Sequence, residues 1–389
     1  MKGEVTLTMR QWRRFDIIRS TLDQKMTIKQ AAQILSLSRR QVQRLKKRVR
    51  TKGPPGILHG NTGRKPPHAF SPELKHRVIE LAKSTYFDFN FSHLSEILAA
   101  EEDIHINRET LRRWLRPLGF GRKRRKRPTH RTRRKRSTQH GQMLFLDGSP
   151  HQWFGSNLSI LILCTDDATG KPLWGLFQDQ EDLNGCLRVC LQVFSTHGLP
   201  QSFYLDRASH FTTTRHGGVH RSQNHTKPTQ FERAMDELGI RLIFAHSPQA
   251  RGRAERIHGT FQDRLVSELR LRGIHNHLQA TQYLNQHFIP AYGRRFAVKP
   301  ENRSPAWRPL PADVDIRNIL SKRCYRTVKN DNTISVRAQI IQLLPTPQRR
   351  HFVKAKLQVN QWIDDSWHIF HPQYGELPCT LLTQKQRAA

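Results

Sequence analysis

Residues 122–136 (RKRRKRPTHRTRRKR) contain eleven Lys or Arg and no acid. Self-repulsion keeps such a run from folding on its own, so the chain must fold as separate pieces on either side of it. The excess is not local: 66 Lys+Arg stand against 31 Asp+Glu, a net charge of +35. A surplus of that size destabilises a compact chain unless a polyanion neutralises it, and nucleic acid is the obvious polyanion. Residues 121–140 therefore read as a basic linker, with Arg122, Lys123, Arg124, Arg125, Lys126 and Arg127 as contacts to DNA phosphates. The 389 residues leave room for two to four units with cores of their own. No apolar stretch reaches the length of a membrane span, and the N-terminus lacks the apolar centre of a signal peptide. Cys164, Cys186, Cys190, Cys324 and Cys379 form no CxxC pair. Cys186 and Cys190 lie four apart in an apolar helical pattern, which favours packing over redox or metal chemistry. The expectation is a cytoplasmic, nucleoid-associated protein with no membrane partner.

Before the basic run the apolar period is helical. Thr27 and Gln30 have capping-box spacing, and Ile28, Ala31, Ala32 and Leu35 then share a face. Ser36-Leu37-Ser38 breaks that pattern. A second helix starts at Arg39, with Val42, Leu45 and Val49 inward and Arg39, Arg40, Gln43, Arg44 and Lys47 outward. Arg and Gln read base edges, so the pair is expected to be a helix-turn-helix whose second helix enters a major groove. Residues 51–68, rich in Gly and Pro, read as a linker. A second helix-turn-helix follows: Leu74, Val78, Ile79 and Leu81 mark one helix, Ser92 caps another, and Asn107 caps a third. In that last helix Leu111, Trp114 and Leu115 face inward, leaving Arg108, Arg112 and Arg113 for DNA.

From residue 142 the pattern changes to strands. QMLFLD ends in Asp147, and LSILILCT and PLWGLF are joined by a turn at Asp166–Gly170. A helix at 181–197 leads to SFYLD, which ends in Asp206; FERAMDELG, RLIFAHSP and a helix from about Arg253 complete a β-β-β-α-β-α-β-α order. The tail from about residue 320 alternates short apolar strands with turns, which suggests a small β-barrel. There Trp362 and Trp367, among Arg349, Arg350, Lys354 and Lys356, suit a DNA-backbone surface or a tryptophan core equally.

The chemistry resides in acids. Two strands ending in Asp147 and Asp206 can bring two carboxylates together at one sheet edge, and a helix packed on that sheet can deliver Glu255. Such a trio stays ionised only with cations between its members, and oxygen ligands favour two Mg²⁺ or Mn²⁺ ions. Other acids have ordinary explanations. Asp166 and Asp167 suit a turn, Asp179, Glu181 and Asp182 suit a helix start, and Asp236, Glu237 and Glu268 suit solvated helix positions.

Residues 205–211 (LDRASHF), 253–265 (RAERIHGTFQDRL) and 283–296 (YLNQHFIPAYGRRF), in this element order, resemble the ribonuclease H-like core of DDE-type insertion-sequence transposases, with ISNCY-like elements the nearest group, and of retroviral integrases. The resemblance covers roughly residues 140–310. It implies a multidomain chain: helix-turn-helix domains at 1–60 and 61–120, the linker 121–140, a mixed-sheet α/β integrase core at 141–310 and the β-rich domain 311–389. It further implies metal-dependent cleavage that frees a 3′-OH, then strand transfer, with Asp147, Asp206 and Glu255 as catalytic metal ligands. The partners would be double-stranded DNA, as terminal repeats and target, and a second copy of the chain or more. A transposase-derived DNA-binding regulator and a nuclease that stops after hydrolysis are the alternatives. Two departures stand out. Ala208 replaces the usual Gly after the second Asp, and residues 212–230 lengthen the interval to Glu255. His216, His220 and His225 in that insertion lack a Cys partner and firm ligand spacing, so a DNA-contacting loop is preferred to a zinc site.

Overall fold

A computed structural model describes residues 6–62, 69–121, 134–212, 228–245 and 252–382. The chain divides into two units, Met1–His76 and Arg77–Ala389.

Three capping boxes organise the first unit. Thr8 with Gln11, Thr27 with Gln30 and Ser38 with Gln41 start helices α1 (Met9–Leu22), α2 (Ile28–Leu35) and α3 (Arg39–Lys52). Each box satisfies two backbone N–H groups that a helix start would otherwise leave open. Ser36 takes the left-handed conformation that lets the chain leave α2 and re-enter helix within three residues. Ile18, Ala31, Val42, Val49 and Ile57 are buried together. The expected helix pair is thus present, with α1 as a third wall. The supposed linker begins later than the Gly/Pro content suggested. Pro54–Ile57 form a 3₁₀ turn packed so closely that a Cβ on Gly56 would lie 2.5 Å from the Arg48 carbonyl oxygen.

After α4 (Pro72–Ser84), α5 (Phe91–Glu101) and α6 (Arg108–Leu115) are capped by Asn90 and Asn107. The cap of α5 is Asn90 and not the expected Ser92: the Asn90 Oδ1 accepts from the N–H groups of Ser92 and His93 at once. Next come β1 (Leu144–Phe154), β2 (Asn157–Asp166), β3 (Pro172–Gln178), α7 (Leu183–His197) and β4 (Ser202–Leu205). They are followed by α8 (Gln230–Glu237), β5 (Arg241–Phe244) and α9 (Gly252–Leu271). The strands form one mixed sheet in the order β3-β2-β1-β4-β5, antiparallel through β1-β2-β3 and parallel through β1-β4-β5. One face packs on α7 through Leu144, Leu146, Cys186, Cys190 and Phe203. The other packs on α9 through Trp153, Leu161, Leu163 and Phe261. Helices α10 (His277–Tyr283) and α11 (Ile289–Phe296) are joined by a π-helical turn, and α12 (Ile316–Ile319) precedes the tail.

Two sequence expectations are corrected in the sheet. Asp147 does not end a strand, because β1 runs on through Gly148-Ser149-Pro150 to Phe154. β4 pairs with β1 only at Leu144 and Phe145, so beyond them Pro150 meets β2 alone and its missing N–H faces an open edge. Asp166 and Asp167 are not mere turn residues but are 0% and 1% exposed. Asp166 accepts from the Gly141 and Thr169 N–H groups at 2.9 and 2.8 Å. Asp167 accepts from Arg134 at 2.8 Å, from the Ser137 N–H at 2.7 Å and from Arg253.

In the tail, β6 (Lys322–Thr327), β7 (Thr333–Val336), β8 (Gln339–Leu343), β9 (Lys356–Gln361), β10 (Trp367–His371), β11 (Gly375–Leu377) and β12 (Cys379–Leu381) form two sheets. Their orders are β11-β10-β9-β6 and β12-β8-β7, and among the described residues they do not close into the expected barrel. Short strands instead pack face to face over Ile334, Ile341, Phe352, Val359 and Ile369. The two tryptophans follow the core reading. Trp362 donates to Asn318 at 2.9 Å and Trp367 to Gln339 at 2.8 Å. No helix among the described residues is long and apolar enough to cross a membrane.

Candidate active site

The β1–β4 register pairs Leu144 with Phe203 and Phe145 with Tyr204. The pairing ends there; carried on by two residues, the register would set Asp147 opposite Asp206, which already lies past the end of β4. Side chains alternate between faces along a strand. Leu144, Leu146, Phe203 and Leu205 all enter the core on the α7 face. Phe145 and Tyr204 pack on the opposite face against Ala254 of α9, with their rings 5.7 Å apart. Asp147 carries that second parity and so belongs to the α9 side; Asp206 directly follows the end of β4, and both are half-buried.

Because β4 ends at Leu205, the chain turns away at Asp206, whose Oδ1 accepts from the Ala208 N–H at 3.0 Å. That turn needs no positive φ at residue 208, since Ala208 is not among the residues with left-handed backbone. The replacement of the family's glycine is therefore accommodated without strain.

Helix α9 lies along β1. His258 Nε2 is 3.6 Å from Asp147 Oδ2, and Gln262 donates to the Ser149 hydroxyl at 3.1 Å. Four residues of helix advance about 6 Å and two of strand about 6.6 Å, so helix and strand run side by side in one direction. Glu255 precedes His258 by three residues, about 4.5 Å along the axis and on the same side. It is exposed in the first turn of α9. Asp147 thus lies beside His258 of α9, Asp206 directly follows the neighbouring strand β4, and Glu255 stands one helical turn before that histidine. His258 was not singled out as a site residue from the sequence. The available signal was its i+3 spacing from Glu255.

The remaining acids of α9 are engaged elsewhere. Asp263 accepts from Asn90 at 2.6 Å. Glu268, expected at a solvated position, pairs with His93 at 2.9 Å and accepts from the Tyr283 hydroxyl. Burial pushes the Glu268 carboxyl upward, but hydrogen bonds from His93 and Tyr283 outweigh it and hold the group below its ordinary value. Arg264 forks onto Glu96 at 2.7 and 3.0 Å, and Arg270 onto Asp88 at 2.9 and 2.8 Å. The far part of α9 is therefore bound to α5 and the segment before it.

Of the expected DNA contacts, Arg39, Arg40, Gln43, Arg44 and Lys47 are all exposed on α3, while Val42 and Val49 hold its other side in the core. Arg108 and Arg113 are exposed on α6, whereas Arg112 is held by Glu109 at 2.8 and 2.6 Å. Arg122, Lys123, Arg124, Arg125, Lys126 and Arg127 lie outside the described residues, as do His216, His220 and His225.

Residues 8–58 match the family model of a homeodomain-like domain. The chain is 32% identical over 366 residues to the putative transposase y4bF of Sinorhizobium fredii, covering 93% of this chain and 79% of that protein. It is 30% identical over 375 residues to the transposase for insertion sequence IS1202 of Streptococcus pneumoniae, covering 87% of this chain and 79% of the relative. Among solved structures, the HTLV-2 integrase catalytic core domain in complex with magnesium is 18% identical. It aligns with 39% of this chain and 90% of its own, at a TM-score of 0.28.

Proposed function

Since the chain belongs to the insertion-sequence transposases, the family of its y4bF and IS1202 relatives, we propose that it cuts the ends of its element in a metal-dependent reaction and joins the freed 3′-OH to target DNA. The observation that supports this reading is that Asp147 on β1 and Asp206 directly after β4 belong to neighbouring parallel strands, with His258 of α9 beside Asp147. Neighbouring carboxylates repel one another unless a cation lies between them, and an all-oxygen donor set with one exposed member suits a hard ion. The residues present therefore fit Mg²⁺ or Mn²⁺, held by Asp147, Asp206 and Glu255. When bound, the two ions would supply Lewis-acid stabilisation of the attacking and leaving oxygens.

The chain's own residues provide the rest. His258, packed against Asp147, holds that carboxylate in place. The exposed basic face of α3 reads the terminal repeat, with Gln43 and Arg44 at base edges and the flanking cations on phosphates. The basic run 122–127 adds affinity for any DNA beside a catalytic core at 141–310 with its ribonuclease H-like strand order. Bringing two ends together calls for at least a dimer.

The test uses end-labelled duplexes of the terminal sequence with the full chain in Mg²⁺. Hydrolysis leaving a 3′-OH, followed by a joined product on plasmid target, is expected. DNA binding with no cleavage would make the protein a regulator. Cleavage with no joined product would make it a hydrolytic nuclease.

A further inference from the structure

On the α7 side of the sheet, three side chains of different chemistry converge. A carboxylate oxygen of Glu181, the Cys186 sulfur and a ring nitrogen of His210 all lie within 4.8 Å of one another. We propose that Glu181, Cys186 and His210 form a second metal site, for a borderline-soft divalent cation such as Zn²⁺, which ties the loop after Asp206 to the start of α7.

Three observations carry this. First, His210 Nε2 stands 3.3 Å from Glu181 Oε1. Tetrahedral coordination with metal–ligand bonds of about 2.0–2.1 Å gives ligand–ligand edges of about 3.3–3.4 Å, so this pair already spans one edge. Second, the same Nε2 is buried and has no hydrogen-bond partner among the described residues, despite its closeness to the carboxylate. A buried ring nitrogen without a hydrogen bond is destabilising, and a metal ion at the shared vertex would satisfy it. Third, the backbone makes room for the carboxylate. A Cβ on Gly148 would lie 1.9 Å from Glu181 Oε2, so glycine next to Asp147 is what allows Glu181 to lie against β1.

The donor set separates this site from the all-oxygen one. Thiolate and imidazole favour Zn²⁺ and Co²⁺, whereas carboxylates alone favour Mg²⁺. Binding would release the Cys186 proton to solvent and leave a fourth position for water. Glu181 and Cys186 flank the Asp182 cap of α7, while His210 follows Asp206 by four residues and packs at a tilt against the fully buried Phe211. A cation there would hold the departure of the chain from β4, and with it the position of Asp206. The existence of the site does not depend on Asp206 being catalytic. None of the three residues signals a metal by itself in the sequence, where Cys186 reads as core and Glu181 as a helix-start acid. The fold brings them together.

The experiment titrates Co²⁺ alone into the full-length protein after chelation under reducing conditions. A thiolate-to-cobalt charge-transfer band in the near ultraviolet, with the visible bands of tetrahedral cobalt, is expected to saturate at one equivalent and to disappear when Zn²⁺ is added. Cys186→Ser, His210→Ala and Glu181→Ala should each abolish or sharply weaken it. The last two lie at half-buried positions, so they report even if Cys186→Ser fails to fold. Asp147→Asn should leave the band intact, since carboxylate-bound cobalt has no thiolate transition. Absence of the band in the wild-type protein, or its persistence in His210→Ala and Glu181→Ala, would overturn the proposal. Loss of DNA cleavage in Asp147→Asn with the band retained would separate this site from the catalytic one.

Discussion

Replacing Asp167 with Ala should be among the most damaging single changes in the Arg77–Ala389 unit, although the residue lies in a turn between two strands. Its side chain is fully buried, and its oxygens accept from Arg134 at 2.8 Å, from Arg253, and from the N–H and hydroxyl of Ser137 at 2.7 and 2.9 Å. Alanine would leave the Arg253 guanidinium, 17% exposed, without its carboxylate, together with an unmet backbone N–H. Breaking a buried ion pair from one side costs about 3–5 kcal/mol. Arg134 is 40% exposed and can turn to water, so only Arg253 and Ser137 carry the full penalty. The expected loss is about 3 kcal/mol, lowering the midpoint of thermal unfolding by about 5 °C for a unit as large as Arg77–Ala389. Scanning calorimetry of the full chain measures it. Hydrogen exchange should show the loss spreading to the first turn of α9, because Arg253 joins the turn to that helix two residues before Glu255. A midpoint within about 1 °C of wild type would refute the ion-pair reasoning.

Asp147→Asn and Asp206→Asn should each abolish cleavage while leaving affinity for terminal DNA within about twofold, since DNA binding is assigned mainly outside the core; gel shifts and cleavage on the same samples test this. Gln43→Ala or Arg44→Ala should cost about 1–3 kcal/mol of discrimination between the terminal repeat and random duplex, read by competition binding, whereas Lys47→Ala should weaken both alike. Glu268 is held below its ordinary value in the folded chain. Its contribution is therefore complete above the unfolded carboxyl range and is lost as pH falls through the lower folded value. Denaturant midpoints of Glu268→Gln and wild type should accordingly converge in acid and diverge toward neutrality.

The sequence was most legible where local chemistry decides structure. Thr27 with Gln30 announced α2, and the inward Val42 and Val49 announced α3 and left its Arg and Gln face exposed. The apolar runs marked every strand of the mixed sheet. What failed to show depends on neighbours distant in the chain. The strand expected to end at Asp147 runs on to Phe154 because β2 pairs with it as far as Phe154. Glu268 looks solvated because His93 and Tyr283 reach it from other helices. Asp167 looks like turn chemistry because Arg134 and Arg253 arrive from 33 and 86 residues away. His258 was visible only as a neighbour of Glu255, and its contact with Asp147 requires α9 and β1 to run side by side.

The central claim is that the third acid of the site is Glu255 and no other on α9. Metal-dependent cleavage of terminal DNA by Glu255→Gln, Asp263→Asn and Glu268→Gln tests it in one experiment. Asp263 is eight residues beyond Glu255, about 12 Å along the helix, and Glu268 is thirteen beyond, about 20 Å, and both already serve α5 and its neighbours. The account predicts that Glu255→Gln loses end cleavage and strand transfer while still binding the ends, and that the other two variants cut at near wild-type rates. Cleavage retained by Glu255→Gln, or lost in Asp263→Asn while that protein stays folded, would contradict it.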